Sequence, residues 1–91
     1  MWNVARRTQF KKDYKRIAKS GIQIDDFEFI LTEICSKRPL PQKYNDHNLS
    51  GNWKGRRECH VKPDILLIYK VDDVNQLIIL ERIGSHAGLF E

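Results

Sequence analysis

A chain of 91 residues with a net charge of +4 leaves room for one domain, residues 1–91, and one compact site, since a chain of this size buries only roughly 60 to 65% of its unfolded surface. Its longest apolar run, residues 65–69, is far too short to cross a bilayer, and the N-terminal MWNVARRTQFKK is basic without the apolar core of a signal peptide. Two cysteines, Cys35 and Cys59, form no CxxC pair or metal-ligand cluster and are too few for a disulfide scaffold, which points to a soluble protein of a reducing cytoplasm.

Residues 2–7 read as a short strand. Thr8 is placed to cap a helix whose apolar positions Phe10, Tyr14, Ile17 and Ala18 follow the 3.6-residue period, with Gly21 as its C-terminal cap and Lys11, Lys12, Lys15, Arg16 and Lys19 on the other face. Asp25 and Glu28 have the spacing of an acidic capping box, opening a second helix with Phe27, Ile30, Leu31 and Ile34 on one stripe and stopping near Lys37, before Pro39. PLPQKYNDHNLSGN, residues 39–52, is a loop by its Pro, Asn, Ser and Gly content, and a loop this long is usually functional or disordered.

Residues 53–61 alternate as a strand, with Arg56, Glu58 and His60 on one side and Arg57, Cys59 and Val61 on the other. Residues 64–71 and 76–83 are nearly continuous apolar runs joined by the turn residues 72–75, as expected of central strands. The order strand, helix, helix, three strands predicts an α+β fold, an antiparallel meander with two helices on one face. Charge alternates along it. Residues 1–20 carry seven bases against one acid, 21–35 four acids, 36–62 seven bases against two acids, and 63–91 two bases against five acids. Meeting basic blocks would make a face for a phosphate backbone; an ordinary solvated helix and edge strand is the equal alternative.

The polar row Arg56, Glu58, His60 repeats about every 7 Å and cannot point into an apolar core. In a hairpin of the last two strands, His60, the HVKPD turn with Asp64, Arg82 and His86 converge at one end of the sheet. Histidines, an arginine and carboxylates without a metal motif suit transesterification of RNA: a base for the ribose 2′-hydroxyl, a cation for the phosphate and an acid for the 5′-oxygen. Each residue also has a plain structural reading. His47 is a surface-turn residue by its context, His60 an edge residue, His86 an anchor of the tail, Arg82 a partner for a carboxylate, Asp64 a turn cap and Phe90 a packing residue, or a ring to stack on a base. Cys59 alternates to the apolar side as an inert core residue.

The motifs D-H-x-L-x-G-x-W-K-G, H-V-x-P-D-x-x-L-I-Y and G-x-H-x-x-L-F, in that order from Pro39 to Phe90, resemble the YafQ branch of the RelE superfamily of toxin-antitoxin toxins; residues 1–38 agree in pattern only. The resemblance implies a RelE-like βααβββ fold and a ribosome-dependent endoribonuclease that cuts translated mRNA without metal or other cofactor. It carries catalytic roles to His47, His60, Asp64 and His86, phosphate binding to Arg82 and an aromatic contact to Phe90. Lys11, Lys12, Lys15, Lys54, Arg56, Glu58 and Lys62 are the candidate RNA-facing set around them. Implied partners are a ribbon-helix-helix antitoxin, forming a heterotetramer with a toxin otherwise monomeric, and mRNA on the ribosome with its rRNA. Ile65 departs from the family, which has tryptophan directly after the aspartate. The rival readings are a non-catalytic ParE-like toxin acting on gyrase and a basic RNA-binding module without chemistry.

Overall fold

Long apolar strands with no polar face must be covered on both sides, and the two such runs of this chain lie centrally paired. A computed structural model describes residues 1–90. Its elements are β1 (Asn3–Arg6), α1 (Thr8–Ser20), α2 (Asp26–Cys35), β2 (His47–Asn48), β3 (Arg57–Lys62), β4 (Ile65–Asp72), β5 (Leu77–Gly84) and α3 (His86–Phe90), with 3-10 turns at Gln42–Tyr44 and Gly51–Trp53. The expected meander β3-β4-β5 is present within a five-stranded sheet of order β1-β5-β4-β3-β2. β1 pairs parallel to β5, and the other pairings are antiparallel.

One face of the sheet is the main core. Cys59, Leu67 and Ile83 lie across from one another, Ile78, Leu80 and Tyr69 extend the layer, and Phe10, Ile17, Ile30 and Ile34 of the two long helices close it. Gly21 ends α1 with φ 82°, a left-handed conformation that glycine adopts without steric cost. Other expected signals are not used. Thr8 is the first helical residue rather than a cap, and Arg7 before it makes no side-chain cap bond. Asp25 likewise makes no cap bond, so the capping box does not form. α2 ends at Cys35, and Lys37 takes φ 60° while the Lys37 and Arg38 N–H groups return to the Ile34 and Glu33 carbonyls. This is a Schellman stop with lysine at the usual glycine position.

The long loop is structured. Asp46 accepts from Arg57 Nη2 at 3.0 Å and from the Tyr69 hydroxyl at 2.6 Å on the helix-covered side, so the next residue, His47, falls on the opposite face as β2 pairs with β3. The sheet is irregular at two places. Between β3 and β4 the register shifts at His60/Lys62; between β4 and β5 Ile68 faces Arg82 while Tyr69 faces Leu80, leaving Glu81 as the extra residue of a bulge. No helix among the described residues is long and apolar enough to cross a membrane.

Candidate active site

The face of the sheet away from α1 and α2 carries most of the candidate residues. Residues opposite one another on neighbouring strands share a face, and the register puts His47, Glu58, Ile68 and Arg82 in one row and His60, Leu66 and Gly84 in the next. Leu66 and Ile68 form a buried apolar floor. Leu89 packs on it and docks α3, a helix too short to persist alone. His86 thus begins a helix pinned to the floor, and its ring lies 5.0 Å from that of Phe90.

Glu58 is the centre of the β2-β3 side. Strand alternation puts it on a solvent-facing row, yet it is only 6% exposed. Two imidazoles cover it: His47 Nε2 is 3.5 Å and His60 Nε2 3.7 Å from Glu58 Oε1. His47 Nδ1 lies 2.7 Å from the Asn45 carbonyl oxygen. A carbonyl only accepts, so Nδ1 carries the proton and, in the neutral ring, Nε2 bears the lone pair that faces Glu58. A proton arriving at Nε2 would meet a carboxylate already in place.

On the opposite side Arg82 is 24% exposed, and its guanidinium is held by the Asp13 carboxylate of α1, Nε at 2.7 Å and Nη2 at 3.2 Å. Sequence reasoning misses Asp13, although its spacing from Phe10 and Ile17 puts a charged residue on the buried stripe of α1, which is the available signal. Burial alone would raise its pKa, but hydrogen bonds from Arg82, Gln9 and the Ile83 N–H and the guanidinium charge hold it below the ordinary carboxylate range. β1 stops pairing with β5 at Leu80, which leaves the Ile83 N–H for Asp13 to cap.

The remaining candidates fall in different places. Asp64 lies exposed in the turn between β3 and β4, at the same end of the sheet as His60 and Gly84. Lys62 ends β3, and Lys54 is exposed beside the Gly51–Trp53 turn. Arg56 stands one residue before β3; its Nε donates to Glu81 at 3.1 Å and its guanidinium lies 5.9 Å over the Trp53 ring. Glu81, aimed by the bulge, also takes Arg7 Nε at 3.2 Å. Trp53 meets Phe90 edge-on at 6.1 Å, giving the site an aromatic wall. The side chains of Lys11, Lys12 and Lys15 are exposed on α1 and make no hydrogen bond or ion pair to the described residues. Ile65 is buried in the helix-side core and so does not face the histidines. Cys59 is fully buried, its thiol pushed up to about 12 first by burial and then by Asp46 and Glu58.

Imidazoles around a buried carboxylate, a fixed guanidinium and a third histidine at the start of the helix docked on the apolar floor form an arrangement suited to proton transfer beside an anion. The model of the "Bacterial toxin of type II toxin-antitoxin system, YafQ" matches residues 2–91. This chain belongs to that family of toxins. It is 42% identical over 83 residues, 90% of its length and 88% of the relative's, to the mRNA interferase toxin YafQ of Escherichia coli K12. It shares 37% identity and a TM-score of 0.93 with a copper-bound mutant toxin from Helicobacter pylori, covering 99% of this chain and all (100%) of that one. With the toxin in the E. coli DinJ-YafQ complex it shares 39% identity and a TM-score of 0.88, covering 100% of both chains. The copper belongs to that relative; among the described residues here no group of three or more His, Cys, Asp or Glu is arranged to hold a metal ion.

Proposed function

We propose that this chain is an mRNA interferase: an endoribonuclease toxin that cuts translated messenger on the ribosome. The observation that carries the reading is the gathering of titratable groups on one sheet face, with Glu58 between the His47 and His60 rings and with α3, which begins at His86, docked through Leu89 on Leu66 and Ile68. In-line displacement at phosphorus needs proton acceptor and donor on opposite sides of the phosphate. One imidazole takes the 2′-hydroxyl proton as O2′ bonds to phosphorus. The opposite one protonates the departing 5′-oxygen as the P–O5′ bond breaks, leaving a 2′,3′-cyclic phosphate and a 5′-hydroxyl. Arg82 stabilises the charge on the non-bridging oxygens, the role that hydrolytic metal ions fill elsewhere. Asp64, at the same sheet end as His60, orients the attacking ribose.

Trp53 and Phe90 offer a surface on which a base stacks, and Lys54, Lys62 and the α1 lysines attract the RNA backbone. The Escherichia coli relative was solved with DinJ; we infer that this chain too is neutralised in the cytoplasm by an antitoxin of its own, over the same basic surfaces that meet ribosomal RNA.

The test maps 5′ ends of a defined messenger incubated with purified protein, with and without translating ribosomes, beside a His60→Ala/His86→Ala double variant. Discrete in-frame cuts that need ribosomes and vanish in the variant are expected. No cuts by folded wild-type protein, or cuts that persist in the variant, would refute the reading.

A further inference from the structure

Asp13 is a buried carboxylate that takes no direct part in the proton transfers. It is 3% exposed, on the stripe of α1 that otherwise carries Phe10 and Ile17. A carboxylate taken from water is costly unless its lone pairs are met. Here they are met by Arg82 Nε at 2.7 Å and Nη2 at 3.2 Å, the Ile83 N–H at 3.2 Å and Gln9 Nε2 at 3.1 Å. Two parallel N–H···O bonds grip one edge of the guanidinium and fix its plane. The other amine, Nη1, makes no hydrogen bond to the described residues, and Arg82 stands beside Ile68 on the floor of the site.

We propose that Asp13 is a positioning residue for the reaction, clamping Arg82 so that Nη1 and the free N–H of Nη2 meet the scissile phosphate. The proposal rests on the ribonuclease reading. An unclamped arginine still binds phosphate, but it follows the ground-state substrate instead of waiting where charge develops in the transition state. Removing the carboxylate also removes a negative charge beside the RNA. Turnover therefore falls while messenger binding does not, a split that a purely structural aspartate would not produce.

A double-mutant cycle of Asp13→Asn and Arg82→Ala is the test, with single-turnover cleavage on mRNA-programmed ribosomes and ribosome binding measured for each variant, and folding checked by circular dichroism. Asp13→Asn is expected to slow cleavage on the order of 10- to 100-fold with binding undiminished. In the Arg82→Ala background it changes the rate by no more than roughly twofold, because the group it acts through is gone. Losses that multiply, or an equal fall in rate and binding, overturn the proposal while the ribonuclease reading stands. Absence of cleavage by the wild type sinks that reading and the proposal with it. Should Asp13→Asn fail to fold, Asp13→Glu takes its place, since it keeps the charge but moves the acceptors by a methylene, and the same non-additivity decides.

Discussion

Single side chains divide between those that hold and those that react. Asp13 belongs to the first group, and its ionisation is linked to stability. Its folded pKa lies below the ordinary 3.8, so the stabilisation is fully present above that value and is lost as pH falls through the lower folded one. Acid unfolding followed by circular dichroism is therefore expected to show a shallower acid limb for Asp13→Asn than for wild type. Truncation to alanine would strand the Arg82 charge and is expected to cost about 3 kcal/mol in urea unfolding. Cys59 is at the inert extreme. With its thiol pushed up to about 12 by burial, Cys59 is held as the unreactive thiol at ordinary pH, and burial also blocks access to it. Native protein should show no fast reaction of Cys59 with a disulfide reagent, and full reaction only after denaturation.

At the scale of elements, the smallest pieces place the reactive groups. β2 has two residues and α3 five, and neither would hold its shape without the rest of the chain. Leu89 pins α3 to Leu66 and Ile68, and a Cβ on Gly84 would stand 3.3 Å from Leu89 Cδ2. Leu89→Ala is expected to cost about 2 kcal/mol. Its loss of cleavage should exceed what the unfolded fraction explains, because His86 loses its seat; chemical unfolding and cleavage assays on one preparation check both. Gly21→Ala, at φ 82° and with nothing within 4 Å of the added Cβ, is the control: about 1 kcal/mol of stability lost and cleavage by the folded fraction unchanged.

Over the whole molecule, the side chains of Lys11, Lys12 and Lys15 are exposed on α1, which packs on the opposite face of the sheet, whereas the charges of the candidate site are mostly paired. Long-range attraction and chemistry are thus assigned to different residues. Replacing Lys11, Lys12 and Lys15 together by alanine is expected to weaken ribosome association and flatten its salt dependence, with the single-turnover rate at saturation retained. A fall in the saturated rate would place these lysines at the reacting phosphate.

Periodicity and turn chemistry in the sequence alone locate both long helices, β1, the β3-β4-β5 meander and the α+β class, because each rests on local patterns of apolar residues. The histidines, Asp64 and Arg82 are legible as residue types, and the hairpin brings most of them to one end of the sheet. His47 reads as a turn residue because what turns it toward Glu58 is Asp46 anchored to Arg57 and Tyr69, distant in the chain. Glu58 reads as exposed, since its cover comes from imidazoles on two strands. The bulge at Glu81, the docking of α3 and the Asp13 clamp on Arg82 are decided only by the tertiary structure. Each depends on where one element stops against another: β1 ends at Arg6, the adjoining edge of β5 is left open, and a buried carboxylate fills it. No local propensity encodes that meeting, because its energy comes from contacts formed only once the sheet is assembled.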